Sequence, residues 1–307
     1  MSTINFSAVN LKKLLKVNSY NYSLDKYTVF GIRGASPAGT GFDTFKDIQS
    51  IEKTDVNYTC SRCIIGIFNP MENKIALFPG STVPNLKYIK ENLAGTAKAN
   101  CMMTGFYSYY EKGYHNPSKL TAHKALRLAT NIVLRRSNND LIYTNEDPIE
   151  IGNPSDNLHA AWCDDSSQTY SSAGCQVIVG KPKCIHRGVN SENTAFWKSF
   201  YDVVYNLDQK KFDYALFRYV DAEAVSGQEN HPMQARLRFG SKGEYVKILQ
   251  EKLALKEYFY TSQDGDFGRN TLLAVLHYQK DKFGIDEADG VVGNTTATSL
   301  GITLPMI

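Results

Sequence analysis

Apolar residues recur in two rhythms along this chain, and the change of rhythm divides it. Up to about residue 220 they come mostly in short runs, at 64–68, 74–78, 131–134 and 176–179, which predict strands. One helix interrupts them, because Phe196, Phe200, Val203 and Val204 fall at i, i+4, i+7 and i+8. Tyr214, Leu216, Arg218 and Val220 then alternate like a final strand. Beyond residue 235 the rhythm is helical: Tyr245, Ile248, Leu249 and Leu253 predict one helix and Thr271, Ala274, Val275 and Tyr278 a second, with a short third expected after Gly293. Between them, Glu223, Ser226, Gly227, Gln228, Glu229, Asn230 and Pro232 show no apolar period. The expectation is an α+β chain: a β-rich domain with helical additions over 1–225, a linker at 226–235 and a small all-α three-helix domain over 236–303.

Composition narrows the function. A length of 307 residues suits two domains, and 42% hydrophobic with 21% charged residues is the balance of a folded protein. A net charge of +3 offers no excess that would neutralise a nucleic-acid backbone, so nucleic acid is not an expected partner. No apolar stretch approaches the roughly 18 residues of a membrane span. Lys12, Lys13 and Lys16 interrupt the N-terminal leucines, and no standard secretory signal is read there. Six cysteines are too few for a disulfide scaffold and leave the redox compartment open. Cys60 and Cys63 make one C-x-x-C without the second pair of a zinc site, so no metal or other cofactor is expected. The glycine-rich segment 31–41 lacks P-loop and dinucleotide spacing and reads as a loop.

The C-terminal part contains a repeat. Asp264-Gly265-x-x-Gly268-x-x-Thr271 returns 25 residues later as Asp289-Gly290-x-x-Gly293-x-x-Thr296. Each copy is a turn that launches a helix, with glycines for the tight backbone and the Asp able to bond local amides. With Leu237, Gly240, Val246, Leu249, Gln250, Leu253, Phe267 and Gln279, the pattern resembles the three-helix peptidoglycan-binding domain. That resemblance implies a non-catalytic module holding its chain on peptidoglycan, with Asp264, Phe267 and Asp289 near the binding groove; the other reading is that these residues only shape the bundle.

Chemistry is densest at Asp156-Asn157-Leu158-His159-Ala160-Ala161-Trp162 and at Ser171-Ser172-Ala173-Gly174-Cys175-Gln176. A cysteine attacks as the thiolate and needs a base within hydrogen-bond reach, which His159 could supply for Cys175. Small residues before Cys175 let a substrate carbonyl approach the backbone. The same residues also fit a structural reading, with Cys175 opening a buried strand and His159 a satisfied core histidine. His115 and His123 lack the H-E-x-x-H spacing of a zinc peptidase, and His186 reads as a surface residue.

Ser172-Ala173-Gly174-Cys175 with upstream His159 resembles the Ser/Thr-His-Gly-Cys signature of the L,D-transpeptidases, a second family that acts on peptidoglycan. The resemblance implies that Cys175 attacks the carbonyl before the terminal D-alanine of a stem tetrapeptide and forms a thioester that an amine or water resolves. By position His159 is base and acid, Ser172 orients His159, Gly174 belongs to the oxyanion hole, and Trp162, Ser171, Gln176 and Arg187 are assigned to substrate. The chain departs from the family at Ala173, where His is common, and at Gln176-Val177, where Arg or His and then Asn are common; the interval from His159 to Ser172 is slightly short. Carboxylate recognition is therefore unexplained, with Arg187, Arg135 and Arg136 candidates by charge alone.

Three functions compete: a thioester-forming transpeptidase or L,D-carboxypeptidase, a cysteine endopeptidase or amidase of the endolysin type, and a non-catalytic wall-binding adaptor. Without a signal peptide, the first is expected to reach the periplasm or wall of a target cell as an effector of a type VI secretion system or in phage lysis. Peptidoglycan is then its partner, together with an immunity protein or a secretion component.

Overall fold

The segment Cys63–Asn69 is buried along its whole length, and the computed structural model shows why: it is a central barrel strand covered on both sides. The structure describes residues 2–96, 98–138, 140–184 and 190–307. In chain order the strands are β1 (Thr3–Ser7), β2 (Thr28–Arg33), β3 (Ala35–Ala38), β4 (Ile48–Lys53), β5 (Cys63–Asn69), β6 (Lys74–Ser81), β7 (Asn100–Met102), β8 (Gly105–His115), β9 (His123–Leu128), β10 (Ile132–Arg136), β11 (Ile149–Gly152), β12 (Leu158–Ala160), β13 (Gln176–Ile178) and β14 (Lys211–Arg218). The helices are α1 (Ala8–Val17), α2 (Leu86–Leu93), α3 (Ala195–Asn206), α4 (Tyr219–Val225), α5 (Glu244–Leu255), α6 (Arg269–Phe283) and α7 (Asn294–Ser299).

Eight strands close a barrel in the order β12-β13-β6-β5-β2-β14-β8-β9. Alternation divides its side chains: Val29, Ile65, Ile67, Phe78, Leu126, Leu158, Ile178 and Leu216 fill one core, onto which α3 packs Trp197 and Phe200. The opposite faces of the same strands, Phe30, Ile32, Ile64, Phe68, Leu77 and Phe217, lie under Leu11, Leu14 and Leu15 of α1 and Ala222 and Val225 of α4.

Two local expectations change. The segment 31–41 is not one loop: residues 31–33 finish β2, Gly34 turns the chain at φ 77°, and β3 follows. Barrel closure pairs Arg33 with Cys63 of β5 and Arg218 of β14, and those ladder bonds override the glycine content. The final strand ends at Arg218, and Val220 lies in α4, where Asp221 accepts the Arg218 amide at 2.9 Å and starts the helix.

The predicted helical rhythm appears as α5, α6 and α7, around Leu237, Val246, Leu249, Leu253, Phe267, Leu272 and Val275. That core also takes in Met103, Val133 and the partly buried Ile149 and Ile151, so the helices pack against the β11-β10-β7 sheet. The chain from 226 to 235 is pinned as it crosses. Ser226 Oγ donates to the Asn5 carbonyl at 2.9 Å, Lys13 Nζ donates to the Gln228 and His231 carbonyls, and Met233 and Ala235 donate to Ile307 and Pro305 at 2.9 and 2.8 Å.

Beneath this crossing sits an ion pair. Arg238 and Asp221 are each only 1% exposed, with Nη2–Oδ1 at 2.9 Å and Nη1–Oδ2 at 3.3 Å, a two-pronged contact that joins α4 to the start of the helical unit. Burial alone would raise the Asp221 carboxyl, yet Arg238 and the Arg218 amide hold it down at about 2. Because that value is depressed, the pair's contribution is complete above pH ~4 and is lost as pH falls through about 2. Asp221→Asn leaves Arg238 buried without a counter-charge and is expected to cost about 3–5 kcal/mol. Thermal melts should show this at pH 7, with the gap to wild type narrowing toward pH 2; equal melting temperatures at pH 7 would refute it.

Candidate active site

Strands β12 and β13 run parallel, with Leu158 opposite Gln176, His159 opposite Val177 and Ala160 opposite Ile178. Leu158, Ala160 and Ile178 therefore point into the barrel core, whereas His159 and Cys175 share the other face. There Cys175, Val177 and Val179 pack with Ala161, Cys163 and Tyr170 of the connecting loop. On its far side β13 pairs with β6, and a Cβ on Gly80 would stand 2.1 Å from the Val177 carbonyl oxygen, so glycine is required for this approach. Cys175 is 7% exposed and His159 2%.

Cys175 Sγ and one ring nitrogen each of His159 and His115 lie within 4.8 Å of one another. His159 Nδ1 is 2.8 Å from the Ala160 carbonyl, which can only accept, so Nδ1 carries the proton and Nε2 keeps its lone pair. The Asn157 amide is oriented by the Leu128 N–H, which donates to its Oδ1 at 3.0 Å; its Nδ2 then donates to His115 Nδ1 at 3.0 Å. His115 is accordingly protonated on Nε2. Its ring stacks on His159 at 4.1 Å, and His123 stands edge-on to His159 at 5.2 Å.

The cluster rests uncharged. Burial, then the neighbouring His115 and His123, push His159 well below the usual imidazole range; burial and His123 bring His115 to about 4. Burial, then the Asp156 carboxylate, raise the Cys175 thiol, opposed by hydrogen bonds from the Asn157 and Cys175 amides. Asp156 is itself raised by burial to about 7, with a hydrogen bond from Asn100 holding it down, and its Oδ2 has no hydrogen-bond partner among the described residues.

The residues expected at the site fall into three groups. Cys175, His159 and Gly174 are together. A Cβ on Gly174 would lie 2.6 Å from Asn100 Nδ2 and 2.7 Å from Asp156 Oδ2, so glycine is needed there; its amide, however, donates to Ser172 Oγ at 3.1 Å and is not free for an oxyanion. Ser172 does not orient His159, because its hydroxyl donates to the Cys175 carbonyl at 2.7 Å; the Ala160 carbonyl has the orienting role. Gln176 does not face substrate: it is fully buried, accepting from Tyr214 Oη at 3.0 Å and donating to the Gly174 carbonyl at 3.1 Å. Trp162 stands edge-on to His123 at 5.2 Å, and the Ser171 hydroxyl meets Tyr88 Oη at 3.1 Å. Arg187 and His186 lie outside the described residues. Arg136 pairs with Glu150 at 2.7 Å on the surface.

His115 and His123 are what sequence reasoning missed. They are eight residues apart and face each other across the β8–β9 hairpin, a register that a single sequence does not display. Among the described residues, His115, His159 and Cys175 are the group able to hold a thiophilic cation. His159 is oriented for that, with its other nitrogen on a carbonyl, while His115 would have to change tautomer or give up its bond from Asn157.

In the helical unit, the repeat has a structural purpose. Gln250 of α5 donates to Asp264 Oδ1 at 2.8 Å and Thr271 Oγ1 at 3.0 Å, and accepts from the Gly265 amide at 2.9 Å. Gln279 of α6 repeats the set with Asp289 (3.3 Å), Thr296 (3.2 Å) and the Gly290 amide (2.9 Å). Asp264 and Asp289 thus brace the turns, and Phe267 is a fully buried core residue rather than an exposed contact.

Comparison with known proteins agrees with this unit. Residues 242–300 match the family of peptidoglycan-binding domains. The spore cortex-lytic enzyme of Bacillus subtilis (strain 168) is 33% identical over 89 residues, which is 29% of this chain and 28% of that enzyme. No solved structure matches the chain. The C-terminal unit is thus a peptidoglycan-binding domain.

Proposed function

We propose that the protein is a peptidoglycan-modifying cysteine enzyme acting on stem tetrapeptides through a Cys175 thioester. The observation that carries this reading is the convergence of Cys175 Sγ with the imidazoles of His159 and His115, in a chain that also has a peptidoglycan-binding domain. His159 Nε2 takes the thiol proton as sulfur attacks the carbonyl before the terminal D-alanine. The tetrahedral oxyanion forms beside the Asn157 and Cys175 amides, which already point at sulfur. His159 returns the proton to the departing amine, leaving the thioester; water or an acceptor amine then releases the acyl group. With the thiol and imidazoles neutral at rest, proton transfer accompanies attack rather than preceding it. A cysteine endopeptidase that cuts cross-links uses the same residues, and the lytic relative favours it as the second reading.

Mass spectrometry of disaccharide-tetrapeptide and of intact sacculi, with and without an added D-amino acid, distinguishes the two. Loss or exchange of terminal D-alanine supports the first reading, and released cross-link fragments the second. Cys175→Ala should abolish either product, and His159→Gln should slow it about 10²–10⁴-fold; products that survive Cys175→Ala would remove Cys175 as nucleophile, and sacculus binding with no product from either protein would leave a wall-binding adaptor. Asp156 adds a pH signature. Ionising it near pH 7 places negative charge beside the sulfur, so kcat/KM should decline through that pH in wild type and lose this inflection in Asp156→Asn. In the free protein, peptide mapping after iodoacetamide at pH 7 should find the more exposed Cys60 alkylated well before Cys175; the reverse order would contradict the protected, protonated thiol.

A further inference from the structure

Arg33 is the last residue of β2, at the barrel end where β13 begins. Its Nε donates to Thr82 Oγ1 at 3.0 Å and its Nη2 to the carbonyls of Thr82 and Met102 at 2.7 and 2.8 Å. Every one of these acceptors is neutral, and Arg33 forms no ion pair among the described residues. The ionisable groups that act on it most are the Cys101 and Cys63 thiols and the Tyr214 and Tyr58 phenols, none of them a carboxylate. Arg33 is half-buried, and with only neutral acceptors on its guanidinium its charge is left for an anion to meet.

An anion can reach it. Arg33 lines a cavity of about 270 Å³ with Tyr58, Cys101, Arg135, Arg218 and Asp289. Arg135 is likewise spent on neutral acceptors, the carbonyls of Asn145, Asp147 and Ala288 and Asn145 Oδ1; Asp147 lies near it but turns its carboxylate to the Asn138 and Thr144 amides. Asp289 stands 3.8 Å from Arg218, so three guanidiniums in the wall face one carboxylate.

The cavity lies along β7, the strand that also holds the loop before Cys175. Asn100 of β7 donates its amide to the Ala173 carbonyl at 2.9 Å, and its side chain stands against Gly174. Cys101 lines the cavity, and the Met102 carbonyl holds Arg33. Asn100, which bonds the Ala173 carbonyl, and Met102, whose carbonyl holds Arg33, are thus two strand steps apart, about 7 Å, a span that two or three extended peptide residues cover.

We propose that this cavity is a carboxylate-binding subsite, anchored by Arg33, that receives an acidic group of the peptide whose scissile carbonyl lies at Cys175. Naming the peptide as a peptidoglycan stem rests on the function proposed above; the demand for an anion does not. Arg33 supplies the carboxylate recognition that the residues after Cys175 lack, and Asp289 and Val291 bring the peptidoglycan-binding domain into the same wall.

Calorimetric titration of full-length Cys175→Ala protein with disaccharide-tetrapeptide, as the free acid and with its carboxylates amidated, tests the subsite. The free acid should bind at least tenfold tighter, and adding Arg33→Gln should erase that preference, with a thermal melt confirming that the variant is folded. Equal affinity for acid and amide, no binding of either, or a preference that survives Arg33→Gln would overturn it. If Arg33→Gln fails to fold, the acid-to-amide comparison with Arg33 intact decides, and Arg33→Lys, which keeps charge but loses the fork, should fall between. Intact-mass detection of an acyl-enzyme on Cys175-containing protein separates the two proposals. Acid preference without acyl-enzyme sinks the thioester alone, and acyl-enzyme without acid preference sinks the subsite alone.

Discussion

The parallel pairing of β12 with β13, only three residues long, is the constraint on which the site depends. Parallel neighbours cannot be joined by a tight turn, and here the connection runs from Ala161 to Cys175, folding back over the outer face and burying the thiol it delivers. The register then puts His159 and Cys175 on one face. A slip of one residue would send the thiol into the barrel core and bring Gln176 out in its place. Gly80 protects that register from the other side, because no larger residue lets β6 come so close to Val177.

Much of this was legible in the residue pattern, for reasons that can be stated. The helical unit announces itself because its repeat is local: each Gln, Asp-Gly and Thr lies within about twenty residues of its partners, and the same bonds form twice. The proximity of Cys175 and His159 was legible because only a few residue types perform nucleophilic chemistry and the two stand close in sequence. His115 was not, since its place beside His159 depends on how β8, β9 and β12 assemble, and barrel order is nonlocal. Ser172 and Gln176 lie close to Cys175 in sequence, yet the strand's alternation and the tight turn before it direct them elsewhere. Adjacency in the chain says little about adjacency at a site when side chains alternate every residue. Arg33 was hidden inside a glycine-rich stretch whose composition suggests a loop.

Two arginines, one buried and one half-buried, show opposite solutions to one electrostatic problem. Arg238 is matched by both oxygens of Asp221 and so works as a rivet between α4 and the helical unit. Arg33 has hydrogen bonds enough to fix its position but no charge to balance its own. Structure alone accounts for the first; the second leaves its charge for the anion proposed above.

The pinned crossing at 226–235 bears on geometry at the scale of the wall. A domain on a slack leash lets its partner search a sphere, and the local concentration of targets then follows from leash length. Here Ser226, Met233 and Ala235 are each bonded to a neighbouring segment, and Lys13 clasps two carbonyls of the crossing. Under the function proposed above, the barrel and the peptidoglycan-binding domain work as the two jaws of a caliper: once one jaw is seated on the polymer, the other meets it at a set offset and angle. Which stems are reached is then a question of the polymer's own repeat and slack, and moving to another stem requires the seated jaw to let go.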